Sequence, residues 1–335
     1  ERKAPDLTEV WQAAPILFVP GHSGSFNQSK TIAAQIYAEA GSNKISIFAL
    51  DMREDLSALS GFLLQAQSEF INDAVQHILW HYRKNVEKFK GHTPKSVLLV
   101  GHSMGGVAAR GAVVAKNHIA GTIVTIITLN SPHQAISPVM SDSRMLRFYE
   151  SINQRWKSEV HTRDVIVISV AGGRRDTTIR SDLTSLNGLV DDQNALHVYT
   201  GSIPGVWLQN DHDSIVWCGQ LIIMLSRTLL DLLDTTTRQF KDSKVDRLQL
   251  VSKRLWGRDS RESMMSEPNA TLEKLGVFSP MVKSKFIHVC QKKFSQEATY
   301  SCMNMPQLKA AQKSSQEHAF ILLSNMSISD GEITL

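Results

Sequence analysis

Residues 97–106 read Val-Leu-Leu-Val-Gly-His-Ser-Met-Gly-Gly, and Val107-Ala108-Ala109-Arg110 follow. An apolar run leads into Gly-x-Ser-x-Gly and then into helix-forming residues, which is the strand–turn–helix setting of a nucleophile elbow. So tight a turn needs nearly bare residues on either side of the serine, and Gly101 and Gly105 provide them. It also forces Ser103 into a strained backbone conformation and points its hydroxyl out at the carboxyl end of a sheet. The same letters could belong to a Gly/Ser-rich turn of an ordinary α/β protein. The apolar run before them and the helix formers after them favour the elbow.

The rest of the chain supplies the sheet that an elbow requires. Strand-like apolar runs recur at Pro15–Val19, Ile45–Leu50, Val97–Val100, Ile123–Leu129, Val165–Val170 and Leu196–Thr200. Helical patterns lie between them, clearest over Gln65–Lys88, where Phe70, Ile71, Ala74, Val75, Ile78, Leu79 and Tyr82 share one face. Continuous rather than alternating hydrophobicity predicts a mostly parallel central sheet covered by helices on both faces. Right-handed crossovers bring every strand's carboxyl end to one edge, where sites of α/β proteins form. From about Thr235 the pattern weakens into a Lys/Arg/Asp/Ser-rich stretch, with a possible strand at Phe286–Val289. The predicted organisation is a catalytic unit over 1–234 and a connecting helix with an incomplete tail over 235–335.

A serine hydroxyl needs a base, a carboxylate to orient the base, and donors for the developing oxyanion. On α/β-hydrolases the chain order is Ser, acid, His, and that order can be read here at strand ends. Asp176 follows Val165–Val170 in Ala-Gly-Gly-Arg-Arg-Asp, and His212 follows the last strand in Asn-Asp-His-Asp. The expected triad is therefore Ser103, Asp176 and His212. Asp182 and Asp211 remain alternatives for the acid. His133, in Asn-Ser-Pro-His-Gln, competes for the base but precedes the acid, so it is assigned a structural or pocket-lining role. The oxyanion hole is expected from the backbone N–H of Met104 and from His22 or Ser23 in the loop Pro20-Gly21-His22-Ser23-Gly24-Ser25. Residues 137–160 carry Met145, Phe148, Tyr149, Ile152 and Trp156 at helical spacing with arginines between. That pattern suits a cap whose stripe, including Phe148 and Trp156, meets an acyl chain, and equally suits a helix packed on the core.

Composition narrows the function classes. At 335 residues, 42% hydrophobic and 20% charged, the chain is that of a globular protein. Its net charge of +4 is scattered, with no interleaved basic and aromatic pattern, so no nucleic acid is expected as a partner. Cys218, Cys290 and Cys302 allow at most one bridge, and sequons at Asn27, Asn269 and Asn325 are compatible with a secretory route. No run reaches the roughly 18–20 apolar residues of a membrane span; Arg227 and Asp231 interrupt the closest, Leu221–Leu233. The chain opens on Glu1 without a signal-peptide pattern and is expected to be a processed chain or a fragment. No metal or organic cofactor is expected.

Five blocks together resemble one family. They are Pro20-Gly21-x-x-Gly24-Ser25; Gly101-His102-Ser103-Met104-Gly105-Gly106; Ser131-Pro132-His133-Gln134; Gly172-Gly173-x-x-Asp176 with Arg180-Ser181; and Asp211-His212-x-x-Ile215-Val216-Trp217-Cys218. Over roughly Ala14 to Asp234 the chain is similar to the glycosylphosphatidylinositol (GPI) inositol-deacylases, which are lipase-like α/β-hydrolases. The elbow is shared with many lipases; the other four blocks are far more specific. The resemblance implies a luminal-facing hydrolase of the endoplasmic-reticulum membrane. It would act on the acyl ester of the inositol in GPI-anchored proteins and assist their export. Those proteins, their acylated inositol lipid and a membrane surface would be its partners. Two departures stand out: the membrane segments usual in the family are not found in this sequence, and His22-Ser23 stand where Asn-Ala is usual. A soluble lipase or carboxylesterase with the same triad, and a catalytically silent lipid- or partner-binding protein, are the rival expectations.

Overall fold

The computed structural model describes residues 12–41, 44–89, 93–135 and 142–257 in full, and the backbone alone of 282–293, 299–304 and 319–328. Six parallel strands form the heart of one sheet: β1 (Ala14–Val19), β2 (Ile45–Asp51), β3 (Leu98–His102), β4 (Thr125–Leu129), β5 (Ile166–Ala171) and β6 (Ala195–Tyr199), in the spatial order β2-β1-β3-β4-β5-β6. All six runs read from the sequence are strands, with ends shifted by at most two residues. This is the core of an α/β-hydrolase sheet.

Side chains of successive strand residues feed two separate cores, as a strand's twofold repeat demands. On one face Leu17 and Val19 join α2 (Gly61–Lys84), α3 (Met104–Val113) and α4 (Ser143–Ser158). On the other, Ile16 and Phe18 join α1 (Lys30–Ala40), α5 (Gly219–Asp231) and α6 (Lys244–Trp256). The helix starts are chemically marked. Ser60, Asp142 and Ser243 accept hydrogen bonds from Leu63, Met145 and Asp246 N–H at the N-termini of α2, α4 and α6. Helix α2 begins four residues before the predicted start and stops at Lys84, giving way to a short 3₁₀ turn at Val86–Phe89.

The apolar run 221–233 is mostly α5. Leu221, Ile222, Leu225 and Leu229 are buried, while the interrupting charges pair with neighbouring helices: Arg227 with Glu39 of α1, and Asp231 with Arg254 of α6. Among the described residues no helix is long and apolar enough to cross a membrane.

Beyond α5, β7 (Leu233–Asp234) and β8 (Gln239–Phe240) make a two-stranded ladder before α6. The sheet then continues past β2 with antiparallel strands β9 (Val282–Lys293), β10 (Thr299–Asn304) and β11 (Ala319–Ile328), in the order β10-β9-β11-β2. Strand β9 contains the run 286–289 picked out from the sequence, and Cys290 and Cys302 stand opposite one another in its register with β10.

Of the two readings of the α4 stripe, the packing follows the helix laid on the core. Met145, Phe148, Tyr149, Ile152 and Trp156 are all buried in the same core cluster as α2 and α3. At about 1.5–3 kcal/mol for each buried side chain, lifting this stripe would cost on the order of 10 kcal/mol, too much for a lid. The indole N–H of Trp156 donates to the Arg110 carbonyl at 2.8 Å, and the Tyr149 hydroxyl to the Pro132 carbonyl at 2.8 Å. Residues 136–141, where the predicted cap segment begins, lie outside the described residues.

Candidate active site

Ser103 stands between β3 and α3 with φ +53° and ψ −127°, a left-handed conformation that costs a non-glycine residue of order 1–3 kcal/mol. Its surroundings hold it there. The Ser103 N–H donates to the Leu129 carbonyl at 2.8 Å, and its carbonyl accepts from Gly106 N–H at 3.1 Å. The glycines are demanded by close approach: a Cβ on Gly105 would lie 2.3 Å from the Val19 carbonyl oxygen, and one on Gly101 2.6 Å from Gly106 Cα.

The carboxyl ends of β5 and β6 deliver the partners. His212 Nε2 is 2.9 Å from Ser103 Oγ, and His212 Nδ1 is 2.9 Å from Asp176 Oδ2. The other oxygen of Asp176 accepts from the Thr178 and Ile179 N–H groups at 2.9 and 2.8 Å. Its side chain is 1% exposed, so the carboxylate is fixed by the turn that carries it and has one oxygen left to orient the imidazole. In this arrangement the Ser103 hydroxyl donates to His212, and His212 donates to Asp176. The alternative acids have other work. Asp182 pairs with Arg180 at 2.7 Å on the surface. Asp211 Oδ1 accepts from the N–H groups of Asp213 and Ser214 and shapes the loop that bears His212.

His133 is fully buried beneath the sheet edge, with Nε2 2.9 Å from Thr128 Oγ1 and its carbonyl accepting from Arg110 at 3.1 Å. Burial, with Arg110 and His197 nearby, holds its pKa well below the usual histidine value. Its side chain has no exposed surface. Phe148 lines a groove between α2, α3 and α4 that holds no triad residue, and Trp156 is buried in the same core cluster as Phe148. Phe148 lies against Gly111, and Trp156 bonds Arg110, seven residues along α3 from Ser103 and so about 10 Å away by helical rise.

The oxyanion loop follows β1, which lies directly beside β3 with Val19 opposite Gly101. A Cβ on Gly21 would sit 2.6 Å from Ser103 Cβ and 3.2 Å from the Met104 nitrogen, so the loop rests on the elbow. Among the described residues the N–H groups of His22 and Met104 have no acceptor. The N–H of Ser23 is spent on the Asp55 carbonyl at 2.9 Å, which removes Ser23 from the expected donors. The His22 ring anchors the same segment: its Nδ1 accepts from Ala58 N–H at 3.1 Å, and burial lowers its pKa.

Sequence reading passed over two buried side chains here. His102 Nε2 donates to the His212 carbonyl at 2.8 Å, and its burial beside His212 pulls its pKa down to about 4. Asn130 bonds both the acid and the histidine segments. Their only signal in the sequence was their place beside a motif residue. A groove of about 680 Å³ between α2, α3 and α4, edged by Phe62, Arg144 and Arg147, includes none of the three triad residues. The loops around the site expose Leu56 and Leu59 beside the oxyanion segment, and Trp207, Leu208 and Trp217 on the chain that bears His212. No group of three or more metal-ligating side chains occurs among the described residues.

Several curated relatives of this chain carry the name GPI inositol-deacylase. The protein from Eremothecium gossypii is 37% identical over 263 residues, covering 72% of this chain and 25% of that protein. The one from Schizosaccharomyces pombe is 36% identical over 266 residues, 71% of this chain and 23% of its own length. The one from Aspergillus fumigatus is 34% identical over 265 residues, 72% and 23%. The chain thus spans about a quarter of the length of these curated relatives. Residues 11–232, from just ahead of β1 to the end of α5, match the PGAP1-like alpha/beta domain, and the chain belongs to that family.

Proposed function

We propose that this chain holds the ester-hydrolysing machinery of a GPI inositol-deacylase. The observation that carries the reading is the line of two 2.9 Å contacts from Ser103 through His212 to Asp176. Ser103 Oγ attacks the acyl carbonyl as His212 Nε2 takes its proton. The oxyanion is met by the N–H groups of Met104 and His22. His212 then protonates the departing inositol oxygen, leaving an acyl-enzyme. Water, deprotonated by the same imidazole, releases the fatty acid and returns the proton to Ser103. Asp176 keeps the productive tautomer and stabilises the imidazolium formed at each step.

The relatives' name supports the substrate: the acyl ester on the inositol of GPI-anchored proteins. The exposed Leu56, Leu59, Trp207, Leu208 and Trp217 around the catalytic mouth support presentation of that ester from a membrane surface, where tryptophans favour the interface. The associated location is the endoplasmic-reticulum membrane with the site facing the lumen, and the role is preparation of GPI-anchored proteins for export. All residues of the mechanism fall within 1–234; beyond them α6 packs into the same core and β11 pairs with β2, so these elements add to the body of the catalytic unit.

The test is fatty-acid release from inositol-acylated GPI in mixed vesicles by the 335-residue chain, beside Ser103→Ala and beside a short soluble acyl ester. Release abolished by Ser103→Ala supports the reading. Hydrolysis of the soluble ester alone would make the protein a general lipase or carboxylesterase. Failure of a fluorophosphonate probe to label Ser103 in folded protein would make it a silent lipid- or partner-binding member of the fold.

A further inference from the structure

Asn130 closes β4 with φ +49°, a left-handed conformation that asparagine adopts more readily than most residues, and it is 1% exposed. Its N–H donates to the Val170 carbonyl of β5 at 2.9 Å. Its side-chain Oδ1 accepts from Gly172 N–H at 2.5 Å, and its Nδ2 donates to the Asp211 carbonyl at 3.2 Å. Gly172 opens the segment that delivers Asp176; Asp211 directly precedes His212. The fit leaves no slack: a Cβ on Gly172 would lie 3.0 and 3.1 Å from the two amide atoms of Asn130 and 2.3 Å from the Asn210 carbonyl oxygen. From the neighbouring strand end, His102 Nε2 donates to the His212 carbonyl at 2.8 Å. The two carbonyls flanking the His212 Cα are therefore each held by a buried side chain.

We propose that Asn130 is the positioning residue of the Asp176–His212 pair, its one amide joining the acid segment to the histidine segment. The inference rests on the hydrolase reading above. An amide is the group that fits, because one atom must accept from an N–H and the other must donate to a carbonyl. A carboxylate would still accept from Gly172 but would set its lone pairs against the Asp211 carbonyl. A methyl group would leave the buried Gly172 N–H and the partly buried Asp211 carbonyl without this partner. Either change leaves the two loops held by the direct bond from Asn210 N–H to the Gly172 carbonyl at 2.9 Å, without the amide that sets Gly172 N–H and the Asp211 carbonyl at one spacing. The chemistry is sensitive to that spacing: a misplacement of about 1 Å can cost about 100-fold in rate.

The test compares wild type, Asn130→Asp and Asn130→Ala in the 335-residue chain. It reads kcat and KM on a soluble acyl ester, thermal unfolding, and the low-field proton resonance of the His212 Nδ1–H. Both variants are expected to unfold cooperatively and keep KM within about twofold, while kcat falls by about 30–100-fold and the low-field resonance shifts or broadens away. Wild-type kcat in either variant, or a rise in KM with kcat unchanged, overturns the proposal. So does loss of cooperative unfolding in both, which would make Asn130 a folding residue. If wild type itself fails to cleave the ester, the hydrolase reading fails, and the resonance still decides the role of Asn130: unchanged in the variants, it overturns the proposal; lost, it supports it.

Discussion

Gly21→Ala tests the oxyanion loop most sharply. The added Cβ would lie 2.6 Å from Ser103 Cβ, 2.8 Å from the His102 carbonyl oxygen and 3.2 Å from the Met104 nitrogen. Carbon atoms rest at about 3.5–4.0 Å from one another, so something must give by roughly 1 Å. The elbow is buried and tied by the Ser103–Leu129 bond, so the loop is the part that moves. Its anchors, Ser23 N–H to Asp55 and Ala58 N–H to His22 Nδ1, stretch with it. An oxyanion donor works at about 2.7–3.1 Å, and losing one costs about 10²–10³ in kcat, or about 2.7–4 kcal/mol. Moving the His22 N–H by roughly 1 Å takes it out of that window. Steady-state hydrolysis of a short soluble ester should therefore show kcat down about 100-fold or more with KM nearly unchanged, and the overpacking should lower stability by about 1–3 kcal/mol. His22→Ala, which keeps the main-chain donor, should cost less than about tenfold. A folded Gly21→Ala protein with kcat within about threefold of wild type would refute the position given to this loop.

Asp176→Asn keeps the shape and loses the charge, and should lower turnover about 10³–10⁴-fold, whereas Asp182→Asn and Asp211→Asn should each cost less than about tenfold. Severe loss from Asp211→Asn with a mild Asp176→Asn would move the acid beside the histidine in sequence. Acid should destabilise the fold. His102 titrates at about 4 when folded against about 6.5 when free, so the unfolded chain binds the proton first and stability falls as pH drops from about 7 toward 4. That single group gives about 2 kcal/mol by pH 5, and His133 acts in the same direction. Urea midpoints that do not fall between pH 7.5 and 5 would contradict this. Phe148→Ala should cost about 3–5 kcal/mol of stability and, in protein kept folded, leave the ratio of long-chain to short-chain ester hydrolysis unchanged; a selective loss on long chains would restore the cap.

What the sequence made legible was whatever a short stretch determines by itself. The elbow is written in ten consecutive residues, and Asp176 and His212 each follow a strand whose apolar run is visible. The rest depends on contacts across the fold. Periodicity marked the stripe on α4 as apolar without saying which surface covers it, and α2 and α3 do. Ser23 looked as good a donor as His22 until its N–H met Asp55, 32 positions away. His133 shares a strand end with the site but turns inward to Thr128. Asn130 acts through Gly172 and Asp211, 42 and 81 residues further on, a distance over which no local pattern carries information.

The order β2-β1-β3 has a consequence for how the site can change. After β1 the chain leaves for the face of α1; after β3 it leaves for the opposite face, that of α3. The two connections diverge and open a crevice above the adjacent ends of β1 and β3, a topological switch point. One wall of that crevice carries the nucleophile and the other carries only a main-chain donor. Beyond Gly21 the β1 wall is anchored to Asp55 and Ala58 and not to α3, so residues can be exchanged there while the serine stays in register. His22 fits such freedom: its imidazole, bonded to Ala58 N–H, ties the loop down from behind while its backbone N–H remains free of any acceptor among the described residues.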